Sequence, residues 1–113
     1  MYGHVHDEYH GTHRSFSTPN PIGVNFWTGS ISTYSNKLPS FRMFEVDAET
    51  FLPVKIHTYL LNITEENPVW HHDHEFTELY DIKDLSPSSM DELSERFLND
   101  EALSITLHNT RTQ

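Results

Sequence analysis

Phe41-Arg42-Met43-Phe44-Glu45-Val46-Asp47 is the stretch whose reading decides the fold. It alternates Phe41, Met43 and Glu45 on one face with Arg42, Phe44 and Val46 on the other, the two-residue period of a β-strand. Upstream, a turn at Ser35-Asn36-Lys37-Leu38-Pro39 separates it from residues 22–34, which are rich in β-branched and aromatic side chains. That segment predicts a strand followed by a loop, with Gly23 and Gly29 marking a bulge or a close backbone approach. Its aromatic pair Phe26-Trp27 is expected to pack in the sheet rather than to border a lipid-binding groove. Downstream, residues 54–61 alternate through Val54, Ile56 and Thr58 and end at Asn62-Ile63-Thr64. Pro53 opens this strand, where a missing N–H does little harm.

Beyond residue 64 the pattern changes. Trp70, Phe76, Leu79 and Tyr80 recur at helical spacing, and strand-like alternation stops. Ser89 and Glu92, after Pro87, read as a capping box that starts a helix with Leu93 and Phe97 on its apolar stripe. A further short helix is expected from Asn99-Asp100, carrying Leu103 and Leu107 on one side. Residues 7–21 are polar and contain Gly11, Pro19 and Pro21, which predicts an irregular loop. The expected class is α/β, with strands over about 22–61 followed by helices over about 73–107, and a division of the chain into residues 1–64 and 65–113.

Composition narrows the function classes. At 113 residues there is room for one small domain or a piece of a larger one. Only 35% of the residues are hydrophobic, yet seven Phe, five Tyr and two Trp argue against simple disorder. Low apolar content with many aromatics suits a fragment whose core is completed by other sequence. The formal net charge of −10 disfavours nucleic acid and anionic membrane as partners, because those surfaces select clustered Lys and Arg. There is no cysteine, so disulfides and thiolate zinc sites are excluded and any metal must be held by His, Asp, Glu or Asn. No apolar run of the ~20 residues a membrane helix needs is present, and no basic-then-apolar signal follows Met1. Either the protein is intracellular or its N-terminus lies upstream.

Gly3-His4-Val5-His6 carries the strongest chemical signal. In extended backbone His4 and His6 point to the same side, so both imidazoles could face one metal site. An exposed chain end is the plainer reading of the same residues. His71-His72-Asp73-His74 is the densest cluster and could hold a divalent ion, but a solvated helix start with Asp73 or a neighbour as cap is the preferred reading. His10 and His13 are expected to be solvated in the loop, and His57 to be a surface or satisfied core residue. Asn62-Ile63-Thr64 fits the glycosylation sequon.

Several landmarks occur together and in order: Tyr2-Gly3-His4-Val5-His6, Ser30-Ile31-Ser32-Thr33-Tyr34, Leu38-Pro39-Ser40-Phe41-Arg42-Met43-Phe44-Glu45-Val46-Asp47, Tyr59-Leu60-Leu61-Asn62-Ile63-Thr64-Glu65-Glu66-Asn67, and residues 80–96. In these the chain resembles the C-terminal part of acid sphingomyelinase and the acid sphingomyelinase-like phosphodiesterases. The resemblance implies a calcineurin-like metallophosphoesterase, a two-sheet sandwich with two metal ions, usually zinc. Residues 1–64 would be its C-terminal strands and last metal-binding loop, and 65–113 the helical C-terminal region. His4 and His6 would each bind one of the two metals. A bridging hydroxide would attack phosphorus, with both metals stabilising the developing charge.

The family's other ligand motifs, Asp-x-His, Gly-Asp-x-x-Asp and Gly-Asn-His-Glu, are absent from this sequence. Two histidines cannot build a binuclear centre, so the chain is expected to be an inactive fragment or truncated product of a hydrolase. Asp7-Glu8-Tyr9 also follows His6 directly where relatives insert one residue, and relatives continue past the polar tail 109–113 with more helix and paired cysteines. The Ser30–Tyr34 run resembles the Ser-x-Thr-Thr-Tyr run of the sphingomyelinases more than that of nucleotide-cleaving relatives, which implies sphingomyelin as substrate, cleaved to ceramide and phosphocholine, with transient contact at a membrane surface. A sequon at Asn62 matches one common in relatives, and implies a secreted or lysosomal parent. A nucleotide or other phosphodiester hydrolase, and a non-catalytic His-rich module that binds metal or a partner, stay open as alternatives.

Overall fold

The computed structural model describes residues 7–111, and the side chains of all of these but residues 35 and 111. Among the described residues five strands and three helices follow in the order β1 (Tyr9–Arg14), β2 (Pro21–Trp27), β3 (Ser40–Val46), β4 (Pro53–Leu61), β5 (Trp70–Glu75), α1 (Phe76–Leu79), α2 (Pro87–Asn99) and α3 (Glu101–Arg111). A single 3-10 turn at Tyr34–Asn36 lies between β2 and β3. The strands form two antiparallel sheets, β1-β2 and β3-β4-β5, and the fold is mixed α/β as the residue pattern predicts.

The alternation read in 41–47 holds as far as Glu45: Arg42 and Phe44 turn inward and Met43 is exposed. Val46, read on the inward face, is exposed instead, because the β3-β4 register shifts between Glu45 and Val46. On β4, Ile56 and Thr58 are buried and Val54 is exposed. The core gathers Phe26 from β2, Ile56 from β4, Phe76 and Tyr80 from the α1 turn, Leu85 before α2, and Met90 and Leu93 from α2. Each fully buried apolar side chain of this size contributes about 1.5–3 kcal/mol relative to exposure. The two sheets and α2 share one apolar interior, so the strands and helices on either side of residue 64 are not separate cores.

Three expectations are corrected. Residues 9–14 are not loop but β1, paired through Tyr9↔Trp27, His10↔Phe26 and Thr12↔Val24. Pairing along β2 supplies the backbone partners that a polar segment with a glycine could not specify by itself. Residues 70–75 are likewise not the start of a helix but the edge strand β5, and helix begins only at Phe76. Phe76, Leu79 and Tyr80 do share a helical turn, while Trp70 belongs to the strand. Finally, α2 starts at Pro87 rather than at Ser89, with Ser86 as its N-cap; the Ser86 hydroxyl accepts from Ser89 N–H at 3.3 Å. Pro87 stands at the first helical position, where its missing N–H leaves nothing unpaired.

The anchored loop and the histidines

His4 and His6 lie outside the described residues; what the structure shows is how the chain is fixed immediately after them. Asp7 forms an ion pair with Lys37. Glu8 is buried, and its carboxylate accepts from Arg42 Nη2 at 2.6 Å, with both side chains less than a tenth exposed. Arg42 spends its other donors on Trp27 O at 3.3 Å and Thr58 Oγ1 at 3.3 Å, and its guanidinium sits 5.8 Å from the centre of the Phe76 ring. One arginine of β3 therefore ties together the segment entering β1, the end of β2, β4 and α1. Next along the chain, Tyr9 packs edge-on to Trp27 with centroids 6.2 Å apart.

This buried pair is stabilising only because it is complete: each ion has given up water, and the partner's charge and hydrogen bonds replace it. Sequence reading missed Glu8 and Arg42. The only signal was a charged residue at an inward position of a strand, which in isolation reads as an edge device rather than as half of a pair formed across 34 residues.

His10 is half-buried, not solvated as its loop reading had it. Its ring sits 5.8 Å from Phe76 and 5.7 Å from Phe97. Loss of water, and then the nearby Arg42 charge, push its pKa down to about 4, so the imidazole is neutral at ordinary pH. A cavity of about 10 Å³ lies between Glu8, Tyr9, His10, Arg42, Phe76 and Tyr80, room for one water and not for a substrate. Burial raises the Tyr80 phenol above its usual pKa. His13 is exposed and hydrogen-bonds Asn25 at 2.5 Å.

The His71-His72-Asp73-His74 cluster does not converge. His71 faces Glu65 at 3.7 Å on the exposed side, and His74 is buried with Nδ1 2.6 Å from Asp73. His72 meets His57 of the neighbouring strand instead. The cap of the following turn is Glu75, whose side chain accepts from Glu78 N–H at 2.8 Å. Among the described residues no group of three or more His, Asp or Glu side chains is arranged to hold a metal. His57 is a satisfied surface residue, 2.7 Å from Glu45. Asn62 stands at the end of β4, with its side-chain oxygen accepting from Thr64 N–H at 3.1 Å and from the Thr64 hydroxyl.

The described part is thus a scaffold of two small sheets and helices in which Glu8 and Arg42 fix the entry to β1. Residues 15–107 match the model of the acid sphingomyelin phosphodiesterase C-terminal region, and the chain belongs to that family. It is 34% identical over 94 residues to sphingomyelin phosphodiesterase A of Dictyostelium discoideum, covering 79% of this chain and 16% of that protein. To sphingomyelin phosphodiesterase 2 of Caenorhabditis elegans it is 30% identical over 107 residues, 85% of this chain and 17% of the relative. The mouse acid sphingomyelinase-like phosphodiesterase 3b is 31% identical over 105 residues, 80% of this chain and 22% of the relative. The chain therefore spans about a sixth to a fifth of the curated relatives' length. No helix among the described residues is long and apolar enough to cross a membrane.

Proposed function

We propose that this chain is the C-terminal portion of a secreted or lysosomal phosphodiesterase that hydrolyses sphingomyelin to ceramide and phosphocholine, and that the chain by itself is inactive. The observation that carries this reading is the family match over residues 15–107, and it is supported by the buried Glu8–Arg42 pair that fixes the chain where it enters β1. The donor chemistry of the chain only partly fits two zinc ions. His4 and His6 would supply one imidazole each, and the described fold contributes no three-donor group. A two-ion centre needs more ligands than this, so the remainder would come from sequence of the kind the relatives carry upstream. When complete, such a centre supplies a nucleophile and charge stabilisation; the part of this chain is to hold the last two ligands in register.

The relatives named sphingomyelin phosphodiesterase favour that lipid over other phosphodiesters. A membrane surface would be met transiently, through parts of the parent enzyme, because this portion is acidic and has no spanning helix. Asn62, at a strand end with its amide on the surface turn, would carry a glycan in the secretory pathway.

The test is a chimera in which this chain replaces the corresponding segment of Dictyostelium sphingomyelin phosphodiesterase A. Sphingomyelin hydrolysis should be retained, and should fall by about two orders of magnitude or more when His4→Ala or His6→Ala removes a ligand. Zinc-loaded chain alone should show no turnover. A chimera that keeps its rate after both substitutions, or that cleaves cyclic dinucleotides in preference to sphingomyelin, refutes the assignment.

A further inference from the structure

The outer face of the β3-β4-β5 sheet, turned away from the core, brings together two histidines that are 15 residues apart in sequence. The register pairs Tyr59 with His72 and Thr58 with His74, leaving Asp73 as the extra residue of a bulge. That bulge sets His72 beside His57, with ring centroids 5.2 Å apart and His57 Nδ1 3.0 Å from His72 Nε2. On the other side of the His57 ring, Nε2 lies 2.7 Å from Glu45 Oε2. A carboxylate oxygen accepts, so this contact is served by a proton on His57 Nε2, and Nδ1 is the nitrogen turned to His72. A carboxylate orienting one nitrogen of an imidazole while the other faces a second donor is the arrangement that supports metal-binding histidines. His72 is held in turn by Tyr59, edge-on at 5.1 Å, and Tyr59 is stacked on Phe41 at 5.0 Å.

The donors select the ion. Two imidazole nitrogens already 3.0 Å apart need little movement to share one ion. For such a nitrogen pair the general affinity order of the divalent metals puts copper(II) above nickel(II) and zinc(II). The geometry points to a two-histidine site for a divalent cation, copper(II) foremost, formed by His57 Nδ1 and His72 Nε2 with Glu45 as a positioning residue. The ion replaces the proton shared by the two rings, and that proton leaves to solvent or to His72 Nδ1. Water completes the coordination, because no third protein donor joins the pair among the described residues. His71 and His74 take no part, since one faces Glu65 and the other is buried beside Asp73. This site does not rest on the phosphodiesterase reading.

The test is titration of the full chain, carrying His4→Ala and His6→Ala, with copper(II) followed by electron paramagnetic resonance. One bound equivalent with hyperfine structure from two nitrogens is expected. His57→Gln or His72→Gln should each weaken binding about a hundredfold, because a chelate becomes a single imidazole. Glu45→Gln should weaken it about tenfold while the two-nitrogen spectrum remains. His71→Ala and His13→Ala should change nothing. Both glutamine substitutions lie on a solvent-facing sheet surface, and circular dichroism confirms that each variant is folded; should one unfold, the Glu45→Gln result and the nitrogen count of the parent chain decide. Unchanged affinity in the glutamine variants, a single-nitrogen spectrum, equal loss on His71→Ala, or zinc bound more tightly than copper overturns the proposal.

Discussion

At the scale of single residues, Glu8 and Arg42 are the pair that ties the entry of β1 to β2, β3 and β4. Removing one member strands the other in a site with almost no access to water. Glu8→Ala or Arg42→Ala should each cost about 3–5 kcal/mol, measured by urea unfolding of the full chain. The double variant Glu8→Gln, Arg42→Met leaves no orphan charge and should recover most of that loss. Gly29 illustrates a second constraint at the same place. A Cβ there would run into the Ser40 hydroxyl and approach Glu8 at 3.8 Å, so Gly29→Ala should destabilise by about 1–3 kcal/mol although its φ needs no glycine. Equal stability of Gly29→Ala and the parent chain would show that Ser40 simply rotates away.

At the scale of elements, helix α2 separates two readings of its start. Ser86 accepts from Ser89 N–H and donates to Asp84 Oδ1 at 2.6 Å, and the hydrogen bonds from Ser86 and Ser89 hold the Asp84 carboxyl below its usual range. Ser86→Ala should cost about 1 kcal/mol by thermal or urea denaturation, and Glu92→Ala should cost close to nothing; the reverse order would restore the Ser89–Glu92 box. The sequence made β3, β4 and α2 legible because each buries one face and so shows its period in the residues it places there. It hid β1 and β5 for a physical reason. Tyr9–Arg14 and Trp70–Glu75 are polar strands whose partners, not their own side chains, fix them, and a histidine-rich strand has no periodic apolar signature. The Glu8–Arg42 anchor and the His57–His72 meeting depend on tertiary register and leave no local pattern to read. Helix α1 ends with Asp81 in left-handed conformation at φ 51°, closed by Ile82 N–H to Thr77 O at 3.0 Å, an end that pattern alone does not announce without a glycine.

At the scale of the whole molecule, the buried neutral histidine makes folding sensitive to mild acid. His10 is pressed between Phe76 and Phe97 with Arg42 near, and Glu8 neutralises Arg42 without offering His10 a hydrogen bond among the described contacts. Its folded pKa of about 4 lies below the 6.5 of an unfolded imidazole. Between these values the unfolded chain binds the extra proton, so stability is complete above pH 6.5 and declines as pH falls toward 4. The loss from this residue should reach about 2 kcal/mol by pH 5. Below about pH 4 a second decline adds to it, because Asp47 and Asp84 are held under the usual carboxylate range by hydrogen bonds and must be protonated on unfolding. His10→Phe keeps an aromatic ring against Phe76 and Phe97 and has nothing to titrate. Urea unfolding of both chains at pH 7.5 and pH 5 should show the parent losing about 2 kcal/mol more than the variant across that interval, and parallel pH profiles for the two would mean that His10 reaches solvent in the folded protein.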